Sequence, residues 1–217
     1  MNLAIFDLDN TLLAGDSDYL WGQFLGENGY VDAAVHQKEN DRYYKDYLEG
    51  SLDINAFLEF QFRPLAENDM KTILSWRERF LNVKIWPAML PKAIDLIEDH
   101  RNMGHELLII TATNSFITAP IAELFNIDNL IAAEPEMLDG KYTGKLSGTP
   151  SYAEGKVTRY EQWLQENNFA ATTTWFYSDS HNDIPLLNKV THPIAVDPDD
   201  VLKAEAEKRD WPVISLR

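Results

Sequence analysis

Eight residues of this chain have the types and spacing to do chemistry together: Asp7, Asp9, Asp16, Asp18, Asp179, Asp183, Thr111 and Lys156. Four of the acids fall within twelve residues, in IFDLDNTLLAGDSD, and the first two sit directly on the end of an apolar run. Three or four carboxylates in one pocket cannot all stay ionised without a counter-charge. A hard divalent cation supplies one, and Mg²⁺ takes carboxylates together with waters and phosphate oxygens. A metal site built from Asp7, Asp9, Asp179 and Asp183 would relieve the crowding and neutralise an incoming phosphate. Asp7 is then the candidate nucleophile, because a carboxylate is ionised near neutral pH and forms an aspartyl-phosphate without a base to activate it. Asp9 is the candidate acid and base, its pKa raised by its anionic neighbours. Thr111 is expected to open a helix, where its hydroxyl and free backbone N–H groups, such as that of Ala112, hold phosphate oxygens. Lys156 supplies fixed positive charge against the transferring phosphoryl group.

These residues need a frame that brings them to one place. Short apolar runs read as buried strands: Leu3 to Phe6, Glu106 to Thr111, Thr173 to Ser178, Pro193 to Val196 and, more weakly, Asn129 to Glu134. Most lack the alternation of a half-exposed strand, which suits a parallel sheet covered on both faces. Helical patterns lie between them, at about Pro91 to Met103, Ile117 to Phe125 and Lys156 to Glu166. The alternation predicts a doubly wound α/β, mostly parallel Rossmann-like sheet, whose ligands bind beyond the carboxyl ends of the strands. The glycines of Leu138 to Gly148 mark a small β-hairpin. From Ala14 to Lys84 no strand is legible, and Tyr19 to Leu25, Val31 to Leu48, Ile54 to Phe62 and Asp69 to Leu81 read as helices. This divides the chain into a core domain, 1–13 and 85–217, and an inserted helical cap domain, 14–84, beside a strand end where it can act as a lid. The many aromatics of the insert are expected to form mainly its core.

Taken singly, each signal has a plainer reading. Asp is common in turns after strands, Thr111 or Asp183 can cap a helix, and Lys156 can be a solvated helix lysine. The conjunction is harder to dismiss, since the four signals fall in order on one edge of one sheet.

The composition narrows the partners. With 19 basic and 35 acidic residues the net charge is −16, which repels nucleic acid and anionic membranes alike. There is no cysteine, so disulfides, thiolate catalysis and cysteine metal sites are excluded. The N-terminal stretch has no basic n-region, no run of residues approaches a membrane span, and a cytoplasmic location is the expectation.

With these residues in view, the chain resembles the haloacid dehalogenase superfamily of phosphohydrolases. DLDNT (Asp7 to Thr11) is similar to its first motif, Thr111 to its second, Lys156 to its third and SDSHND (Ser178 to Asp183) to its fourth. The resemblance implies that Asp7 is phosphorylated and that Asp9 is the acid and base and also gives a backbone carbonyl to Mg²⁺. It implies that Thr111 and Lys156 orient the phosphoryl group, Asp179 ligates the metal and Asp183 supports it. Asn182 is similar to an asparagine that approaches the phosphate in phosphoserine-phosphatase-like members. An aspartate at position 9 resembles the phosphatases and phosphomutases. The helical insert resembles the cap of the phosphoserine phosphatase subgroup. TATNSFITAPIA and the C-terminal segment resemble a bacterial branch of that subgroup, some of whose members are histidinol-phosphate phosphatases.

Asp16, nine residues after Asp7, resembles the substrate-facing glutamate of phosphoserine phosphatases. GDSDYLW is equally a helix start, in which Asp16 or Ser17 is the N-cap and Asp18 favours the first turn. Both readings of Asp16 stand open. A phosphoserine enzyme also needs a cation for the substrate carboxylate; Arg42, Arg63, Arg77 and Arg79 are available and the sequence does not choose among them. An acidic, aromatic cap better suits a cationic, ring-bearing substrate such as histidinol phosphate. His181 is expected to be an exposed loop residue. The expected function is a Mg²⁺-dependent phosphomonoesterase acting on a small, amine-bearing phosphorylated metabolite. A phosphomutase on the same residues is one alternative, and a phospho-accepting signalling receiver is another. The sequence says nothing of oligomeric state.

Overall fold

The computed structural model describes all 217 residues. Seven strands form one sheet: β1 (Asn2–Phe6), β2 (Glu106–Asn114), β3 (Asn129–Leu138), β4 (Lys141–Ser147), β5 (Thr173–Ser178), β6 (His192–Val196) and β7 (Val213–Ile214). Their order is β4-β3-β2-β1-β5-β6-β7, and every neighbouring pair is parallel except β3 with β4. The chain therefore leaves β1 toward β2 on one side and returns to β5 on the other. That reversal opens a crevice at the carboxyl end of β1, where doubly wound sheets bind ligands.

Both faces of the sheet are covered, which explains why β1 reads as continuously apolar. Ala4 and Phe6 belong to a cluster of 30 buried residues on one face, whereas Leu3 and Ile5 belong to a cluster of 13 on the other. Helices α7 (Glu154–Glu166), α8 (Ile184–Leu187) and α9 (Asp200–Lys208) cover the smaller cluster. The larger one takes residues from α1 (Ser17–Glu27), α3 (Ile54–Glu67), α4 (Met70–Phe80), α5 (Pro91–Asn102) and α6 (Ser115–Leu124). Helix α2 (Ala33–Leu48) gives it none.

Five of the surplus aspartates start helices. Asp16, Asp32, Asp53, Asp69 and Asp199 each accept a hydrogen bond from a backbone N–H of the first turn, satisfying a donor the helix itself leaves free and facing the positive end of its dipole. The insert carries no strand between Ala14 and Lys84. Helix α4 runs on through a π-helical turn, Leu81–Ile85, and a 3₁₀ turn, Trp86–Ala88, into α5.

Three expectations change. The second strand does not end at Thr111: it continues to Asn114, and Thr111 lies within it rather than opening a helix. Ile110 pairs with Ile131 and Asn114 with Ala133, so residues 111–113 bulge out opposite the single Ala132. Asn114, not Thr111, caps α6. Second, the hairpin near Leu138 is no separate unit. Its first strand is the end of β3, joined to β4 by Asp139 and Gly140, both at positive φ (49° and 77°), as a tight two-residue hairpin turn requires. Third, the aromatics of the insert divide. Trp21, Phe62 and Phe80 are buried apolar core, but Tyr19, Tyr43, Tyr44, Tyr47 and Phe57 line a cavity.

Trp21 is 1% exposed and packs its indole against Phe24, Phe80 and Phe116. Trp21→Ala should lower the unfolding free energy by about 3–5 kcal/mol, read as a shift of the urea midpoint. A loss below about 1 kcal/mol would mean that this ring does not tie the insert to the sheet.

Candidate active site

Asp7 is the first residue beyond β1, and its backbone N–H still donates to Tyr177 O on β5 (2.9 Å). This last ladder bond holds the residue at the crevice with its side chain buried. Its Oδ1 accepts a hydrogen bond from Lys156 Nζ at 2.8 Å, and the same ammonium lies 2.8 Å from Asp183. Asp183 in turn accepts from Ser178 Oγ at 2.7 Å. Lys156 reaches this position because the loop before α7 is folded tightly. Ala153 adopts positive φ (48°), and a Cβ on Gly155 would lie 2.1 Å from Pro150 O. Ser151 Oγ ties this loop to the carbonyl of Thr111.

Asp9 is held from two sides. Its Oδ1 accepts from the backbone N–H of Ser17 (2.6 Å), and its Oδ2 accepts from Thr113 Oγ1 (2.7 Å), with Thr111 Oγ1 farther off at 3.4 Å. The Thr111 hydroxyl itself receives the N–H of Thr113 (3.1 Å). The bulge of β2 thus brings Thr113, which the sequence reading missed, closer to Asp9 than Thr111. A Thr-x-Thr on extended backbone puts both hydroxyls on one side, a signal that counts only once the strand is known to run past Thr111. Ala112 is half-buried within the same bulge. Asp179, the first residue after β5, is fixed by Thr11, whose hydroxyl donates to Oδ1 (3.1 Å) and accepts the Asp179 N–H (3.1 Å).

Asp16 caps α1 through Tyr19 N–H (2.7 Å) and also lines the cavity, so the two positions expected of it coincide. Asp18 departs from expectation. It is not a solvated first-turn acid but is buried, its Oδ1 accepting from Asn114 Nδ2 at 3.0 Å. Asn182 is not among the residues of the cavity wall. Its amide donates to Tyr47 O (3.2 Å) and accepts from Tyr152 OH (3.0 Å), tying α2 to the core. His181 is half-buried rather than exposed, with Nδ1 2.8 Å from Asp199.

The charges are unequal. Burial pushes the Asp7 carboxyl up to about 7, Lys156 pulling against it and Asp183 and Asp9 adding to it. Burial raises Asp9 against the bonds from Ser17 and Thr113, and holds Asp179 well above the carboxylate range with help from Asp7 and Asp183. Burial alone would lower the Lys156 ammonium, but Asp183 and Asp7 outweigh it and raise it. Lys156 answers Asp7 and Asp183 and leaves Asp9 and Asp179 without a cation. An all-oxygen set short of positive charge fits a hard divalent ion. No three acid or histidine side chains converge as a metal cluster. Asp183 is engaged with Lys156 and Ser178, so the carboxylates free to meet a metal are those of Asp7 and Asp179.

In front of these residues lies a partly open cavity, with about 470 Å³ of space between its walls, open solvent included. Its wall comprises Asp7, Asp9, Asp16 and Asp18, the five rings of Tyr19, Tyr43, Tyr44, Tyr47 and Phe57, and Asn40, Leu52 and Thr113. None of the four candidate arginines is part of it. Arg42 lies over the Tyr43 ring and pairs with Glu39, Arg77 donates to Phe116 O, Arg79 reaches Tyr30, and Arg63 borders a separate surface cleft.

Comparison with known proteins gives the family. The family model of haloacid dehalogenase-like hydrolases matches residues 4–188. A histidinol-phosphatase of Neisseria meningitidis serogroup C (strain 8013) is 45% identical, covering 100% of this chain and 99% of that protein. A crystal structure of a protein of unknown function from Bordetella pertussis Tohama I superposes with a TM-score of 0.94 at 43% identity, over 100% and 99% of the two chains. A phospho-aspartyl intermediate analogue of phosphoserine phosphatase shares the fold at a TM-score of 0.71 and 19% identity, over 99% and 93%. The chain belongs to the haloacid dehalogenase-like hydrolases and is a phosphoric monoester hydrolase. The family match runs through the helical insert, which a signalling receiver lacks.

Burial raises the Asp16 carboxyl from 3.8 to about 7, with Asp9 adding to the effect. The folded chain therefore keeps a proton that the unfolded chain has released, and this residue costs stability as pH rises between those values. Asp16→Asn keeps a capping side chain. In metal-free buffer its stability advantage over the wild type should grow from pH 4 to pH 7, by on the order of 2 kcal/mol, measured by urea denaturation at each pH. An advantage that shrinks with pH would reverse the assignment.

Proposed function

We propose that the chain is a Mg²⁺-dependent phosphomonoesterase that works through an aspartyl-phosphate on Asp7. We further propose that its substrate is a small, cationic, ring-bearing metabolite, histidinol phosphate before phosphoserine. The observation that carries the substrate reading is the composition of the cavity wall: four carboxylates, five aromatic rings and no basic side chain. Phosphoserine would bring a carboxylate into this wall without a partner, and an unpaired buried charge is strongly disfavoured. A cationic substrate meets opposite charge, and a ring meets rings. The 45% identity to a protein named as a histidinol-phosphatase supports the same choice. A place in amino-acid biosynthesis, in the cytoplasm, goes with that substrate.

Lys156 bonds to Oδ1 of Asp7, which leaves the other carboxylate oxygen to attack phosphorus. The ester O–P bond breaks as the Asp7 O–P bond forms, and Asp9 delivers its proton to the departing alkoxide. The raised pKa of Asp9 suits that task. Asp9, now a carboxylate, takes a proton from water as that water attacks the aspartyl-phosphate, releasing inorganic phosphate and restoring Asp7. Ser17 N–H and Thr113 Oγ1 hold Asp9 in register for both steps. Asp183 acts through Lys156, and Thr111 through Thr113. Asp7, Asp179 and the backbone carbonyl of Asp9 would hold Mg²⁺, whose charge when bound offsets that of the phosphate and the crowded acids. Residues 14–84 form the cap in this proposal, with Asn182 linking its helix α2 to the core; Ala112 offers backbone N–H to the phosphate.

Asp7→Asn should reduce phosphate release from p-nitrophenyl phosphate by at least about a thousandfold while leaving the circular dichroism spectrum unchanged. Retained activity would remove Asp7 as nucleophile. In a phosphate-release screen with Mg²⁺, kcat/KM for histidinol phosphate should exceed that for phosphoserine by at least about tenfold. Preference for phosphoserine or a sugar phosphate would sink the substrate assignment, and isomerisation without net phosphate release would indicate a mutase.

A further inference from the structure

Asp18 is the one acid of the cavity wall that neither the reaction at Asp7 nor helix capping employs. It is 2% exposed. Its Oδ1 is held by Asn114 Nδ2 at 3.0 Å, and its Oδ2 has no hydrogen-bond partner. Asn114 is not free to turn, because its own Oδ1 caps α6 by accepting from Ile117 N–H at 3.4 Å. The cap therefore fixes one oxygen of Asp18 and leaves the other without a donor, on a residue that borders the cavity. A buried acceptor in that state costs the full loss of its hydration.

The wall has no lysine, arginine or histidine, and its Thr113, Asn40, Tyr19 and Tyr43 donate elsewhere, to Asp9, Tyr19 O, Asp41 and Ala56 O. The missing donor has to arrive with the ligand. A single ammonium is already matched by Asp16, whose Oδ1 is committed to Tyr19 N–H and which sits two residues earlier on the same helix start. Asp18 is then left for a second nitrogen. The rings of Tyr43, Tyr44 and Phe57 border the same space, so a planar, nitrogen-bearing ring is the group that satisfies both the aromatic surface and the orphaned oxygen.

We infer that Asp18 is a specificity-determining residue: its Oδ2 accepts a hydrogen bond from a second basic nitrogen of the substrate. The cavity thereby selects phosphomonoesters with an amine and a basic ring over those with an amine alone. The inference rests on reading this cavity as the substrate site.

The test measures inhibition of p-nitrophenyl phosphate hydrolysis, with Mg²⁺ present, by histidinol (amine and imidazole) and by phenylalaninol (the same amine with a ring that carries no nitrogen). In the wild type, histidinol should have the lower Ki by at least about tenfold, the scale of a hydrogen bond to a charged group. Asp18→Asn should bring the two Ki values to within about threefold of each other. The ratio is read, not the rate, so partial loss of catalysis cannot imitate the effect. Equal Ki values in the wild type, or a ratio that Asp18→Asn leaves unchanged, overturns the inference. If the variant does not fold, the wild-type ratio decides: tenfold supports the role of the second nitrogen, and unity removes it. The substrate assignment fails separately. Tight histidinol inhibition without turnover of histidinol phosphate would overturn that substrate and leave Asp18 as the reader of two nitrogens.

Discussion

A buried ammonium between two buried carboxylates is the interaction on which the rest of this structure depends. Lys156 faces Asp7 and Asp183 at the crevice between β1 and β5. Such a group is costly to bury and tolerable only if its partners are held in position. The surrounding fold does this. Asp7 and Asp179 follow two adjacent parallel strands, Ser178 fixes Asp183, and the tight turn around Gly155 aims the lysine. Losing any one of these would strand a charge in a low-dielectric interior rather than merely weaken a contact.

The same constraint explains how so acidic a protein remains compact. Its aspartates are not distributed evenly over a solvated surface. Five start helices, where the dipole and free N–H groups favour negative charge. Others gather around the single crevice, where a lysine answers some and a divalent ion fits the remainder. The cavity in front extends this imbalance outward, with acids and rings and no basic side chain. In the proposed function, charge selects at two depths: near the strand ends for a phosphate accompanied by a cation, and farther out for a cationic leaving group.

Much of this was legible in the sequence because parallel strands buried on both faces end abruptly in polar residues. Asp7 after LAIF and Asp179 after TTWFYS announce a crevice by that change alone. Lys156 and Thr111 were legible as members of an ordered set, though not individually. What escaped notice depends on contacts distant in the chain. Thr113 reaches Asp9 only because a bulge against β3 carries the strand past Thr111. Asp18 has the local pattern of an ordinary first-turn acid, and its burial is decided by Asn114, far along the chain. The aromatics of the insert share one composition whether they fill the core or line the cavity, since pattern alone does not say which face of a helix meets apolar neighbours.

Helix α2 contributes nothing to the large apolar cluster that joins α1, α3 and α4 to the sheet. It supplies instead Asn40, Tyr43, Tyr44 and Tyr47 to the cavity wall, and is held by hydrogen bonds such as Asn40 Nδ2 to Tyr19 O (3.0 Å) and by ring contacts with α3. The mechanical consequence is an uneven stiffness. Displacing α1 or α4 would strip surface from the large apolar cluster, whereas displacing α2 would break polar contacts that water can replace in kind and a small set of ring contacts with α3. Three of the five rings of the cavity wall thus ride on the one helix of the insert that stands outside the large apolar cluster.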